Sequence, residues 1–367
     1  TGHRCDSTGA DALMTTITGL QVDPLNLPLE EPFEISLGTQ YEAQNVLVRI
    51  ETDNGTVGYG EGSPIAPVTG ETQEAALATA RAFEELLLGK DIAEYRHLSR
   101  RIRATAPGMS SANFATETAL LDAFCRDRDL SLAELFGGPP TPVTTDLTVP
   151  ILPGSEAATR AATAADQGFT ELKIKTGTDV ERDVDRVVAI NEAAPDAELK
   201  IDANQGWTPK ETIAFADAIE DHGINLELIE QPVAKGDVRG LAQCRRQVDV
   251  PIAADEAVFT PSDAVRIVRE EAADIINVKL GKSGPLWAAD IAAIADGANL
   301  ELMIGCMLES AIGIHTSAHF VAGTGLFDHV DLDGNLLLAE DIVDVTYGPS
   351  ITPNGPGHGI SVNPDTI

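Results

Sequence analysis

Lysine is scarce in this 367-residue chain: eight residues, against 58 acidic side chains and a formal net charge of −33. A chain so acidic repels polyanions, which excludes nucleic acid and anionic membranes as partners. The acids run through every helical segment instead of gathering in a tail, so a disordered acidic arm is excluded as well. A dispersed acidic surface with little lysine predicts adaptation to high salt, where screening removes the self-repulsion. Cysteine is sparse too. Cys5, Cys125, Cys244 and Cys306 form no C-x-x-C pair, so neither a disulfide framework nor a zinc site is indicated. No apolar run reaches the roughly 18 residues of a membrane span, and the expected location is cytoplasmic. The remaining composition, 43% hydrophobic and 23% charged, is that of an ordinary globular chain. Its length suffices for one large barrel plus a smaller domain.

Residues 1–14 lack an apolar signal core and read as an N-terminal extension outside the fold, expected to be disordered. Residues 15–140 read as an α+β capping domain. Ala43–Ile50 and Val57–Tyr59 flank Thr52-Asp-Asn-Gly55, whose Asn-Gly pair predicts a hairpin. Helical periodicity follows over Glu71–Leu88, stopping at Gly89, and over Ser111–Arg128. Gly137-Gly-Pro-Pro-Thr-Pro142 breaks the pattern and marks the boundary. Over 141–338 the rhythm becomes strand, helix, strand. Apolar strands end near Pro150, Lys175, Asp202, Glu230, Asp255, Lys279, Cys306 and Asp331, with helix starts at Ser155, Thr178, Thr208, Ser262 and Glu309. Eight strands with seven intervening helices predict an α/β fold, a (β/α)7β TIM-like barrel. The Gly- and Pro-rich tail, 339–367, is expected to pack back on the capping domain.

Five charged residues close consecutive strands. Lys175, Asp202, Glu230, Asp255 and Lys279 are spaced 27, 28, 25 and 24 residues apart, about one βα unit each. In such a barrel the C-terminal strand ends converge on one mouth. A lone lysine or acid at a strand end is usually solvated, and most acids of this chain are surface groups. The ordered set of five is what argues for a site, and Lys173, Lys175, Lys279 and Lys282 place half the lysines in just two strand ends. Asp202, Glu230 and Asp255 offer only oxygen, which suits a hard octahedral cation such as Mg²⁺ with positions left for a substrate carboxylate. The cation would acidify the carboxylate's α-proton by stabilising the enediolate formed on its removal. Lysines from either side, with their proton affinity lowered by burial and by the cation, would exchange that proton on opposite faces.

On these residues the chain resembles the enolase superfamily, in particular its muconate lactonizing enzyme subgroup. The resemblance covers nearly everything from Thr15 onward. It rests on Leu172-Lys-Ile-Lys175, Asp202-Ala-Asn-Gln-Gly-Trp207, Ile229-Glu-Gln-Pro232, Asp255-Glu256 and Asn277-Val-Lys-Leu280. It implies a capping domain over a barrel carrying one Mg²⁺ held by Asp202, Glu230 and Asp255, with Lys175 and Lys279 as bases and with Lys173 and Asn204 at the substrate. At the eighth strand end, Asp331 and Asp333 are placed to grip an ammonium, and this Asp-x-Asp looks like the signature of dipeptide epimerases. A solvated turn or calcium-type loop is the bland alternative, although EF-hand spacing is absent.

The specificity loop of the family would fall at Pro24–Ser36, which carries Glu30 and Glu31 and neither Lys nor Arg. That favours a dipeptide whose second residue is apolar or cationic over one ending in Glu, although salt adaptation would produce the same acids. Gly305-Cys-Met-Leu-Glu-Ser310 has no His, which argues against His-based dehydration, and His315, His319 and His329 are assigned to a helix face or inner loop. Gly281-Lys-Ser-Gly284 lacks P-loop spacing, and no nucleophile elbow is present. The reading is thus a Mg²⁺-dependent dipeptide epimerase, expected as a homo-oligomer. Its rivals are o-succinylbenzoate synthesis, N-acylamino acid racemisation or muconate cycloisomerisation on the same scaffold, and a barrel that binds a carboxylate or peptide without turnover.

Overall fold

The computed structural model describes residues 14–343 and 348–362, so the expected extension up to residue 13 and the end of the tail lie outside the described residues. The capping domain begins with a three-stranded antiparallel sheet, β1 (Ile17–Ile35), β2 (Gly38–Thr52) and β3 (Val57–Gly62), in that order. The stretch 24–36, expected as a loop, is instead the outer half of β1, paired with β2 from Ile17 to Ile35 around an irregularity between Pro28 and Phe33. Pro24, Pro28 and Pro32 are tolerated there because β1 is an edge strand, where a missing N–H breaks no ladder. The hairpin at Asn54-Gly55 forms as its dipeptide predicts, joining β2 to β3.

Six helices follow: α1 (Ala66–Thr69), α2 (Gln73–Ala82), α3 (Glu84–Leu87), α4 (Tyr95–Thr105), α5 (Ser110–Asp127) and α6 (Leu132–Phe136). Helix α5 lies directly on β3, which only glycine permits. A Cβ at Gly58, Gly60 or Gly62 would stand 2.3, 2.0 or 2.2 Å from the carbonyl oxygens of Ala119, Ala115 and Ser111. The alternating glycines of β3 therefore form a flat seat, and the small face of α5 fills it.

The second sheet has eight parallel strands in sequential order after the two-residue β4 (Val143–Thr144). They are β5 (Leu147–Val149), β6 (Glu171–Lys175), β7 (Glu198–Asp202), β8 (Leu228–Glu230), β9 (Ile252–Ala254), β10 (Ile275–Lys279), β11 (Glu301–Gly305) and β12 (His329–Val330). Seven helices separate them: α7 (Gly154–Asp166), α8 (Val180–Ala193), α9 (Pro209–Asp221), α10 (Val238–Gln247), α11 (Pro261–Arg269), α12 (Leu280–Gly297) and α13 (Ala311–Thr324). This is the (β/α)7β order, and the N–H of Asp146 donates to Val330 O at 3.2 Å, joining the two ends of the sheet. All eight strands end within about a residue of the expected positions, because each apolar run stops where its side chains meet the polar mouth. The helices begin within one or two residues of the expected starts, and α9 and α11 open on reciprocal capping boxes, Thr208 with Glu211 and Thr260 with Asp263.

Below the mouth, Lys200 is buried against Asp146 at 2.9 Å and Glu171 at 2.5 Å, an ionic layer at the closed end of the barrel. The cap docks through polar ties as well as apolar contact. Glu61 of β3 accepts from the Ser310 N–H at 2.9 Å and the Gly313 N–H at 3.1 Å at the start of α13, and Asn45 donates to Leu308 O at 2.7 Å. Across the same seam Arg103 pairs with Glu117 and stacks on Trp287 at 4.3 Å, crossing the chain at Gly284. The described part of the tail pairs β13 (Ser350–Ile351) with β4, and the Arg126 guanidinium donates to Ile360 O at 2.7 Å. No helix among the described residues is long and apolar enough to cross a membrane.

Candidate active site

Strand register sets the floor of the site. Lys175 faces Asp202, and Asp202 faces Glu230, as ladder partners on β6, β7 and β8, so these side chains form one row across the mouth. Asp255 follows β9 directly, and Lys279 is the last residue of β10. The two lysines hold opposite ends of the row: Lys175 Nζ lies 2.7 Å from Asp202 Oδ2, and Lys279 Nζ lies 2.8 Å from Asp255 Oδ2. Lys173, wholly buried, lies 2.7 Å from Glu230 Oε2, 3.2 Å from Asp202 Oδ2 and 2.6 Å from Asp331 Oδ2. All nine residues singled out in the sequence thus gather in the same mouth, and all of them are buried.

The electrostatics of the row are those of excess negative charge in a dry place. Burial, reinforced by Asp202, pushes Glu230 up to about 8. Burial alone would raise Asp255, but Lys279 and Lys282 hold it well below the usual carboxylate range. Lys279 is disfavoured as a cation by burial, yet the carboxylate of Asp255 more than offsets this and holds its ammonium above the ordinary lysine value. Three buried carboxyls with oxygen-only donors, one of them driven to keep a proton, are the donor set a hard divalent cation satisfies. The groups that orient these acids are in place: the Asn277 amide donates to Glu230 Oε1 at 2.7 Å, and the Asn204 N–H donates to Asp202 Oδ1 at 2.9 Å.

Asp331 and Asp333 stand across the mouth on the segment after β12. Burial would raise Asp331, but Lys173 and Lys279 take it down to about 2, whereas burial and the charge of Asp331 push Asp333 up to about 6. The Thr148 N–H fixes Asp333 Oδ2 at 2.5 Å. Above lies a cavity whose roof comes from the cap: Phe33 and Ile35 of β1, Ile65, and Val68 of α1. Glu30, Glu31 and Glu34 face solvent and not this cavity, and Glu31 reaches Arg160 at 3.4 Å. Ser36 ties the hairpin to the floor by donating to Asn204 O at 2.7 Å.

Two family models cover most of the chain: one described as mandelate racemase / muconate lactonizing enzyme, N-terminal domain, over residues 17–137, and one as enolase C-terminal domain-like, over 156–366. The chain belongs to the enolase superfamily. Within it, the chain is 38% identical to an L-Ala-D/L-Glu epimerase of Bacillus subtilis (strain 168), over 94% of this chain and 96% of that one. It is also 38% identical to a hydrophobic dipeptide epimerase of Enterococcus faecalis, over 91% and 94%. A solved dipeptide epimerase from Enterococcus faecalis V583, complexed with Mg and the dipeptide L-Leu-L-Tyr, superposes with a TM-score of 0.90 at 36% identity, covering 94% of this chain and 99% of that one.

Other members of the site carried no role in the sequence. Lys282 lies in the first turn of α12 and curls back to Asp255, 2.6 Å from Oδ1, so it braces that acid and does not line the cavity. Glu256 lines the cavity beside Asp255, and burial followed by the charge of Asp255 pushes it up to about 7. Gln231, at φ 34°, accepts the Asp255 N–H at 2.9 Å and shapes the loop that presents that acid. Motif adjacency pointed to Glu256 and Gln231. Phe33 lies within the Pro24–Ser36 stretch expected to set specificity, although its side chain was not singled out there, and nothing in the sequence pointed to Ile65.

Proposed function

We propose that this protein is a Mg²⁺-dependent dipeptide epimerase, an isomerase that inverts the α-carbon of a dipeptide's C-terminal residue. The observation that carries the reading is the disposition of its charges: two buried lysines bracket an acid row, and a second pair of acids faces that row across one cavity. Asp202, Glu230 and Asp255 would hold the cation, which when bound stabilises the negative charge that grows on the substrate carboxylate as the α-proton leaves. Lys173 adds a fixed positive charge beside that carboxylate. Lys175 and Lys279 approach from opposite ends of the row, so one removes the proton from one face while the other delivers a proton to the opposite face. Asp331 and Asp333 bind the dipeptide's ammonium, a buried cation–carboxylate contact that orients the chain before proton transfer.

The roof bears on the second residue. The glutamates that made a cationic residue attractive in the sequence point to solvent, while Phe33, Ile35, Ile65 and Val68 offer apolar surface. An apolar C-terminal residue is therefore the favoured substrate, in line with the name of one relative and against that of another.

The test is a dipeptide library incubated in D₂O with Mg²⁺ and high KCl and read for +1 products by mass. Dipeptides with apolar C-terminal residues take up label first, and Asp331→Asn with Asp333→Asn abolishes it. If N-acylated amino acids were labelled instead, or if the double variant left labelling intact, a reaction on substrates without an ammonium would replace this one. No label in any substrate would leave only a binding protein.

A further inference from the structure

Across the mouth from the carboxylate row, the ends of β11 and β12 bring a second, chemically different donor set together. Cys306 Sγ and one carboxylate oxygen each from Asp331 and Asp333 all lie within 4.8 Å of one another. The two acids are 4% and 2% exposed, while Cys306 is half-buried and opens into the cavity. Gly334 makes this approach possible, since a Cβ there would stand 3.1 Å from Cys306 Sγ and 2.2 Å from Met307 O.

We propose that Cys306, Asp331 and Asp333 form a binding site for a thiophilic divalent cation, Zn²⁺ or Cd²⁺, separate from the oxygen-only row that suits Mg²⁺. Donor chemistry separates the two sites. A thiolate selects a soft or borderline ion, and Mg²⁺ has little use for sulfur. Around a tetrahedral ion with bonds of about 2.0–2.3 Å, neighbouring donors stand roughly 3.3–3.8 Å apart, so the three groups need to close by about 1 Å. On binding, the Cys306 S–H bond breaks, its proton passes to water, and a sulfur–metal bond replaces a metal–water bond. A thiolate and two carboxylates bring three negative charges, against which the bound ion supplies two positive ones and Lys173, 2.6 Å from Asp331 Oδ2 and shared with Glu230 and Asp202, offsets part of the third. A water or an incoming group completes the fourth position.

The site has a consequence that rests on the function proposed above. The same two acids receive the substrate ammonium in that reading, so a thiophilic ion and a dipeptide exclude each other, and the ion inhibits without displacing Mg²⁺.

Cd²⁺ is titrated into the full protein at saturating Mg²⁺, in a Cys5→Ser background, and the thiolate-to-metal charge-transfer band in the ultraviolet is recorded. Cys125 and Cys244 are buried and out of reach. One equivalent produces the band, Cys306→Ser and Asp333→Asn each lose it, and Asp202→Asn keeps it. No band, or a band that survives in Cys306→Ser, overturns the site. Saturating dipeptide suppresses the band, and its N-acetyl form does not. A Cd²⁺ band indifferent to the dipeptide upholds the metal site and instead defeats the assignment of the ammonium to these acids.

Discussion

The floor and the roof of the cavity are built by different means. On the floor the chemically active groups are charged and buried, and they are held by ladder register, as Lys175, Asp202 and Glu230 are, or by ion pairs between strand ends, as Lys279 and Asp255 are. In the roof the groups are apolar and neutral, carried by a hairpin arm and the four-residue α1, and tied to the barrel by isolated bonds such as Ser36 to Asn204. A proton transfer between fixed faces tolerates little displacement, so it belongs on the most rigid lattice available. Selection among side chains needs only shape and apolar contact, which a separable cap provides and can exchange without disturbing the chemistry.

The sharpest break of this comparison lies on the floor. Lys175→Ala or Lys279→Ala should each lower the rate of epimerisation by about 10²–10⁴, the range for a general acid–base group. Neither should unfold the barrel, because Asp202 keeps Lys173 and Asp255 keeps Lys282 as partners. Turnover of both epimers is followed by chiral chromatography, with circular dichroism as the check on folding. A loss under tenfold in either variant would end the two-base account.

Changes to the roof should act differently. Phe33→Ala and Ile65→Ala are expected to lower kcat/KM for dipeptides with bulky apolar C-terminal residues by about 10–200-fold, the scale of about 1–3 kcal/mol of lost apolar contact. For dipeptides ending in alanine they should change little. Competition assays with pairs of dipeptides measure the ratio directly. If all substrates slowed equally, the roof would be part of the chemistry and the division between it and the floor would fail.

The same division separates what the amino-acid sequence makes legible from what it hides. The floor is legible because a barrel strand announces itself as a short apolar run, and the charge that closes it lies at the mouth by topology. The eight strands follow for the same reason. The roof is not legible: β1 carries three prolines and resembles a loop, and its strand character depends on pairing with β2 and on being an edge. Helix α4 also escapes, since its buried face is only Leu98, Ser99, Ile102 and Arg103, and the last two find their places through α5 and Trp287. The role of Lys282 is hidden because sequence gives spacing along the chain, not the fold of the first turn of α12 that points its ammonium back at Asp255. Cys306 has no ligand partner at sequence range; its partners Asp331 and Asp333 arrive from the next strand.

The smallest expected effect lies behind both regions, where α13 meets α6 and the tail. His315 and His319 sit on α13 four residues apart, both buried, and the Ala133 N–H donates to His319 Nδ1 at 3.3 Å. Burial, with the nearby His358, takes both down to about 4. Protonation is thus disfavoured in the folded state, while the unfolded chain takes up protons below about 6.5. Stability from this pair is fully present above that pH and declines as pH falls toward 4, by about 2–3 kcal/mol for each histidine. Glu61, Glu71 and Glu309, raised by burial, carry the opposite sign and partly mask the decline in the wild type. Urea midpoints at pH 7.5, 5.5 and 4.5 should therefore be compared between the wild type and His315→Asn with His319→Asn. The variant should lose less stability than the wild type across that window. An identical slope in both would show that these histidines do not set the acid limit of the seat on which floor and roof meet.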